Sequence, residues 1–169
     1  MSTFFVVALL ALAGVVVSGE TEVWQVAKQY VDKECKVLQE VILTPMAKGK
    51  CKEQGCVEGL FLQPTIVSCD KRQPDVAGLF SGTTVTAAVY EDNTGCLGVP
   101  SSISVSQAGV CLPESYNHDR TFATSRCTNT GVEYSNFCTN SSCVGCEDAF
   151  DPYGCKPYNY ASILTHCDS

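Results

Sequence analysis

Apolar and polar positions alternate along most of this chain with a period of two, the signature of strands that bury one face. Ser102–Ser106 alternates serine with Ile103 and Val105, and the run Gln107-Ala108-Gly109 turns it. Gly82–Tyr90 is β-branched and aromatic, and the Asx- and Gly-rich stretch 91–95 breaks it. Arg120–Cys127 alternates again before the turn run Thr128–Gly131. Short strands with turn signals between them predict an all-β, antiparallel domain.

The segment 22–43 supports two readings. Trp24, Ala27, Val31, Cys35, Leu38 and Ile42 fall at helical spacing among good helix formers, which makes an α+β fold with an N-terminal helix the alternative. Alternation instead makes Val23–Tyr30 one strand and Gln39–Thr44 the next. The strand reading is preferred because it matches the rest of the chain.

Twelve cysteines organise this pattern into spaced triplets: Cys35/Cys51/Cys69, Cys96/Cys111/Cys127 and Cys143/Cys155/Cys167, with Cys56, Cys138 and Cys146 outside them. Intervals from first to middle cysteine are 16, 15 and 12, and from middle to last 18, 16 and 12. Tyr30 precedes Cys35 much as Tyr90 precedes Cys96, and Phe137–Cys143 is a looser third copy. The expected pseudo-repeats are 20–69, 82–127 and 130–167, each a supersecondary unit that cannot bury its apolar face alone. Because neighbours in sequence usually pair in space, local bridges are expected: Cys35–Cys51, Cys56–Cys69, Cys96–Cys111, Cys127–Cys138, Cys143–Cys155 and Cys146–Cys167. Sequence alone leaves other connectivities open.

An aromatic residue, an Asp-rich turn, a cysteine, a strand, Gly-x-Cys and a second strand closing on a cysteine together resemble the cysteine-rich repeats of small secreted proteins of amoeboid protists. The resemblance extends over nearly the whole chain after the leader and lies in the cysteine rhythm. It implies secretion and β-repeats, and it carries over no active site.

The first 19 residues read as a signal peptide. Phe4–Val17 is apolar and uncharged, too short to span a bilayer of about 30 Å comfortably, and Val17 and Gly19 suit a signal-peptidase site. Residues 20–169 then form a single disulfide-stapled domain of 150 residues, in a compartment where an even cysteine count argues for full pairing. No membrane span is expected. The net charge of −7 is uneven: residues 70–169 carry five basic and eleven acidic groups, which repels a phosphate backbone and excludes nucleic acid as partner.

Candidate chemistry is sparse, and no cofactor and no catalytic residue is assigned. Cys143 and Cys146 form the one C-x-x-C, without the second pair that a zinc site needs or the βαβ context of a redox motif. His118 sits beside Asp119 in a polar stretch without a nucleophile elbow, and His166 abuts Cys167. Glu147, Asp148 and Asp151 are a weak calcium candidate, lacking the D-x-D-x-D-G spacing, with turn acids as the ordinary explanation. Tyr153, Tyr158 and Tyr160 are the preferred binding patch for an extracellular protein or glycan. Asn140-Ser141-Ser142 is the N-glycosylation sequon. Lys71-Arg72-Gln73-Pro74 offers basic residues that a trypsin-like pocket accepts.

Two functional readings result. The first is a secreted, non-catalytic structural or recognition protein of an extracellular coat or matrix. The alternative is a small secreted hydrolase or protease inhibitor. If the leader is cleaved as read, protein recovered from the medium of a secreting host should begin within two residues of Glu20, which intact-mass measurement checks.

Overall fold

A computed structural model describes residues 23–58, 63–91, 95–113 and 122–168; the leader, residues 1–19, lies outside them. Twelve strands account for most of these residues: β1 (Val23–Tyr30), β2 (Leu38–Met46), β3 (Gln54–Glu58), β4 (Pro64–Asp70), β5 (Thr84–Glu91), β6 (Ser102–Gln107), β7 (Leu112–Pro113), β8 (Phe122–Cys127), β9 (Gly131–Cys138), β10 (Glu147–Pro152), β11 (Gly154–Tyr158) and β12 (Ala161–Asp168). They form an eight-stranded sheet in the order β11-β12-β5-β6-β2-β1-β4-β3 and a four-stranded sheet in the order β10-β9-β8-β7. Every pairing is antiparallel. The expected small, disulfide-rich all-β domain is therefore what the chain forms.

The helix alternative for 22–43 is ruled out, since β1 and β2 pair from Val23↔Met46 to Gln29↔Glu40. A bulge interrupts the pairing: the register shifts between Gln29 and Tyr30, which pairs with Leu38 and leaves Gln39 unpaired. Leu38 and Val41, three apart, thus both serve the core.

The strand registers relate two halves of the large sheet. One half is β2-β1-β4-β3, and the other is β6-β5-β12-β11. Matching their ladders makes Val41 equivalent to Ile103, Leu43 to Val105 and Tyr30 to Tyr90. Cys69 likewise matches Cys167, and Cys56 matches Cys155. The halves meet at β2 and β6, with Val41↔Val105 and Leu43↔Ile103 placed symmetrically about the pair Ile42↔Ser104. A local two-fold axis therefore passes through that pair. The expected unit 20–69 contains the first half, whereas the second is assembled from β5 and β6 and the distant β11 and β12. The small sheet is inserted between them.

All twelve cysteines are paired, but none of the six expected local bridges forms. The bonds are Cys35–Cys56, Cys51–Cys69, Cys96–Cys155, Cys111–Cys143, Cys127–Cys167 and Cys138–Cys146. The two-fold relation accounts for four of them. Cys35 and Cys96 occupy equivalent connections in the same left-handed conformation, with φ of 53° and 59°, and reach the equivalent edge strands β3 and β11. Cys69 and Cys167 end equivalent strands and reach back into equivalent connections, to Cys51 and Cys127. The remaining two bonds belong to the insert. Local pairing fails because an antiparallel neighbour in space is often not the next strand in sequence.

The core lies on one face of the large sheet. Trp24, Val26, Val41, Leu43, Ala88, Tyr90, Ile103 and Val105 cluster there under the connection between β4 and β5, which contributes Val76 and Phe80. Leu43 and Val41 are 1% and 0% exposed, so the seam between the halves is dry. The small sheet covers the opposite face, joined to it through Cys127–Cys167 on β8 and β12. Gly131 allows β9 to approach β10 closely, because a Cβ there would overlap the carbonyl oxygen of Asp151.

Full reduction should abolish this arrangement. The bonds Cys96–Cys155 and Cys127–Cys167 close spans of 59 and 40 residues. In the chain-entropy model each is worth about 4 kcal/mol, against a net stability of about 5–15 kcal/mol for a typical domain. Cooperative loss of β-type circular dichroism in reductant is expected; a reduced protein keeping its spectrum and melting temperature would contradict it.

Candidate functional site

The face of the large sheet turned towards the small sheet mixes small, polar and apolar side chains. In β6 the alternation that gives Ile103 and Val105 to the core turns Ser104 and Ser106 the other way, and in β5 it does the same with Val85 and Ala87. The small sheet answers with Ala123 and Ser125 of β8 and Tyr134 and Asn136 of β9. Small residues on one wall leave the sheets apart, and a cavity of about 470 Å³ lies between them. That volume falls within the range of small-molecule sites. Val110, Leu112, Pro113 and Phe137 complete an apolar lining, with Phe137 half exposed at 51%.

Glu40 is the carboxylate in this lining. The bulge at Gln39 brings both residues to the cavity. Ser104 Oγ donates to Glu40 Oε1 at 2.5 Å. Burial pushes the Glu40 pKa above its ordinary value, and the serine bond offsets this only in part. Among the described residues no basic side chain pairs with Glu40. Tyr134, the other titratable group among the described residues of the lining, is pushed up to about 12 by burial and then by the charge of Asp151.

Side-chain amides hold the walls in place. Gln39 Nε2 donates to the Pro113 carbonyl at 2.6 Å, tying β2 to β7. Gln63 Nε2 in turn donates to Gln39 Oε1 at 3.1 Å. Gly109 N–H donates to the Ser125 carbonyl at 2.7 Å, and its φ of 74° suits it to the turn after β6.

The residues singled out from sequence lie elsewhere. Tyr158 and Tyr160 are exposed, at 59% and 91%, on the tight β11–β12 hairpin, whose Asn159 has φ 53°. Tyr153 sits beyond the far end of β11, about 17 Å away at strand rise, with its hydroxyl donating to the Thr128 carbonyl at 2.8 Å. The hairpin thus brings Tyr158 and Tyr160 together and leaves Tyr153 apart. Glu147, Asp148 and Asp151 all fall on β10, where alternation sets Asp148 on the opposite face from the other two. Asp148 accepts from Ser135 Oγ at 2.7 Å and Asp151 is paired with Lys156, so the three carboxylates do not converge on one point.

Asn140 is exposed in the loop between β9 and β10, tethered by Cys138–Cys146 and Cys111–Cys143. Its Oδ1 accepts from the Ser142 N–H at 2.9 Å. Cys143 and Cys146 bond to different partners, which removes the redox reading of their C-x-x-C spacing. His166 Nε2 lies 3.2 Å from Asp168 Oδ2, which also accepts from Thr86 Oγ1 at 3.1 Å. His118 lies outside the described residues. Lys71 and Arg72 are exposed just after β4.

Sequence reasoning did not single out Glu40, Gln39, Ser104 or Tyr134. One signal was present: Glu40 interrupts an otherwise apolar strand beside a glutamine. No protein-family model matches the chain, and no curated protein or solved structure matches it.

The buried carboxyl makes stability depend on pH. A folded pKa above the unfolded one means that Glu40 favours folding at low pH, and that this contribution is lost as pH rises through the folded value. Glu40→Gln keeps an acceptor for Ser104 and removes the charge. Its melting temperature should exceed that of wild type near pH 7.5. The difference should shrink as pH falls towards and below the ordinary glutamate value of about 4.3; thermal melts across that range check it.

Proposed function

We propose that the protein acts outside the cell as a non-catalytic structural or recognition component of a coat or matrix, binding an extracellular protein or glycan. The observation that carries this reading is the complete pairing of twelve cysteines, a state that oxidising compartments form and maintain. The apolar leader agrees with it, as does the resemblance of the cysteine rhythm to secreted repeats.

The hairpin that presents Tyr158 and Tyr160 supports recognition. Tyrosine supplies a large, stiff, amphipathic contact surface at low entropic cost, and a disulfide on β11 holds the hairpin's base. The exposed Asn140 sequon, on a loop tethered by two disulfides, is the glycosylation site of this reading.

Oxidised protein made in a secreting eukaryotic host should carry a glycosidase-sensitive mass that Asn140→Gln removes. It should bind a subset of a glycan array or an extracellular protein, and Tyr160→Ala should reduce that binding. Hydrolase turnover, or tight inhibition of trypsin through Lys71 and Arg72, would overturn the proposal in favour of the enzyme or inhibitor alternative.

A further inference from the structure

We infer that the inter-sheet cavity binds a small hydrophobic amine, an apolar ring or chain carrying one basic nitrogen that meets the Glu40 carboxylate. This does not depend on where the protein resides or on what the tyrosine hairpin contacts. It rests on the cavity's shape and on one group within it that no basic side chain among the described residues compensates.

Three features select this ligand class. The walls are apolar or small where they face the space, with Val85, Ala87, Leu112 and Ala123 among them, so the body of the ligand must gain by leaving water. Glu40 is the carboxylate in the lining, and no basic side chain among the described residues neutralises it. Ser104 occupies one lobe of that carboxylate with a single bond, whereas a carboxylate offers about four acceptor positions. An ammonium brings three donors and the missing charge together. A carboxylate ligand would meet like charge, and a neutral one would leave Glu40 uncompensated.

Burial holds the Glu40 pKa up for want of such a partner. Two of the other polar groups at the walls are already engaged. Gln39 spends its amide on Pro113 and Gln63, and Gln107 Nε2 donates to the Ser81 carbonyl at 2.8 Å. Glu40 is therefore the group that sets ligand charge.

Three probes with one indole body separate the possibilities: tryptamine, 3-ethylindole and indole-3-propionate, titrated calorimetrically into the oxidised full chain near neutral pH. Tryptamine should bind one to one, 3-ethylindole on the order of tenfold more weakly, and the propionate most weakly. Glu40→Gln, whose fold is followed in the same samples by thermal melting, should reduce tryptamine to the affinity of 3-ethylindole. Ala87→Phe, which fills the space from β5, should abolish tryptamine binding while circular dichroism reports a retained fold. Absence of saturable tryptamine binding, equal affinity for the three probes, or tryptamine binding unchanged in either folded variant would each overturn the inference.

Discussion

The chain's return to its own sheet after a long excursion is the constraint on which the rest of the structure depends. After β6 it leaves the large sheet, builds the small one, and comes back as β11 and β12 to lie beside β5. Two disulfides fasten that return, Cys96–Cys155 at the edge and Cys127–Cys167 between the sheets. Long-range strand pairing is entropically expensive because it closes a large loop before its contacts accumulate. A covalent bond removes that cost from the unfolded ensemble, and the second half of the sheet is then completed in the same way as the first.

With both halves complete, the seam between β2 and β6 turns one apolar stripe from each into a shared core. Val41, Leu43, Ile103 and Val105 belong to that stripe, and the β4–β5 connection seals it with Val76 and Phe80. The reverse face is mixed: Ser104, Ser106 and Glu40 lie beside Val85 and Ala87, and it receives the small sheet without being filled by it. The cavity and its desolvated carboxyl thus follow from the small and polar residues that the alternation of β6 and the bulge of β2 turn to that face.

Much of this was legible in the sequence, and the limits have physical causes. Val23–Tyr30 and Ser102–Ser106 stood out as strands because each buries one face against a core. The β10 and β11 strands did not, because their residues are largely exposed and carry charges, prolines and glycines. Cys35 and Cys96, each preceded by a tyrosine at the end of a strand, share a left-handed conformation with φ of 53° and 59°. The expected disulfides went astray because proximity in sequence stood in for proximity in the sheet. The cavity was out of reach for a similar reason: its walls come from β2, β5, β6, β7, β8 and β9, and no local pattern records that two sheets face each other.

Disulfide mapping of the oxidised protein, by mass spectrometry of an unreduced digest prepared at acid pH to suppress exchange, tests the account most directly. The account predicts Cys35–Cys56 and Cys96–Cys155 as equivalent bonds, together with Cys127–Cys167 joining the two sheets. Sequential bridges such as Cys96–Cys111 or Cys143–Cys155 would contradict it, since they leave β11 and β12 without the attachment that completes the second half.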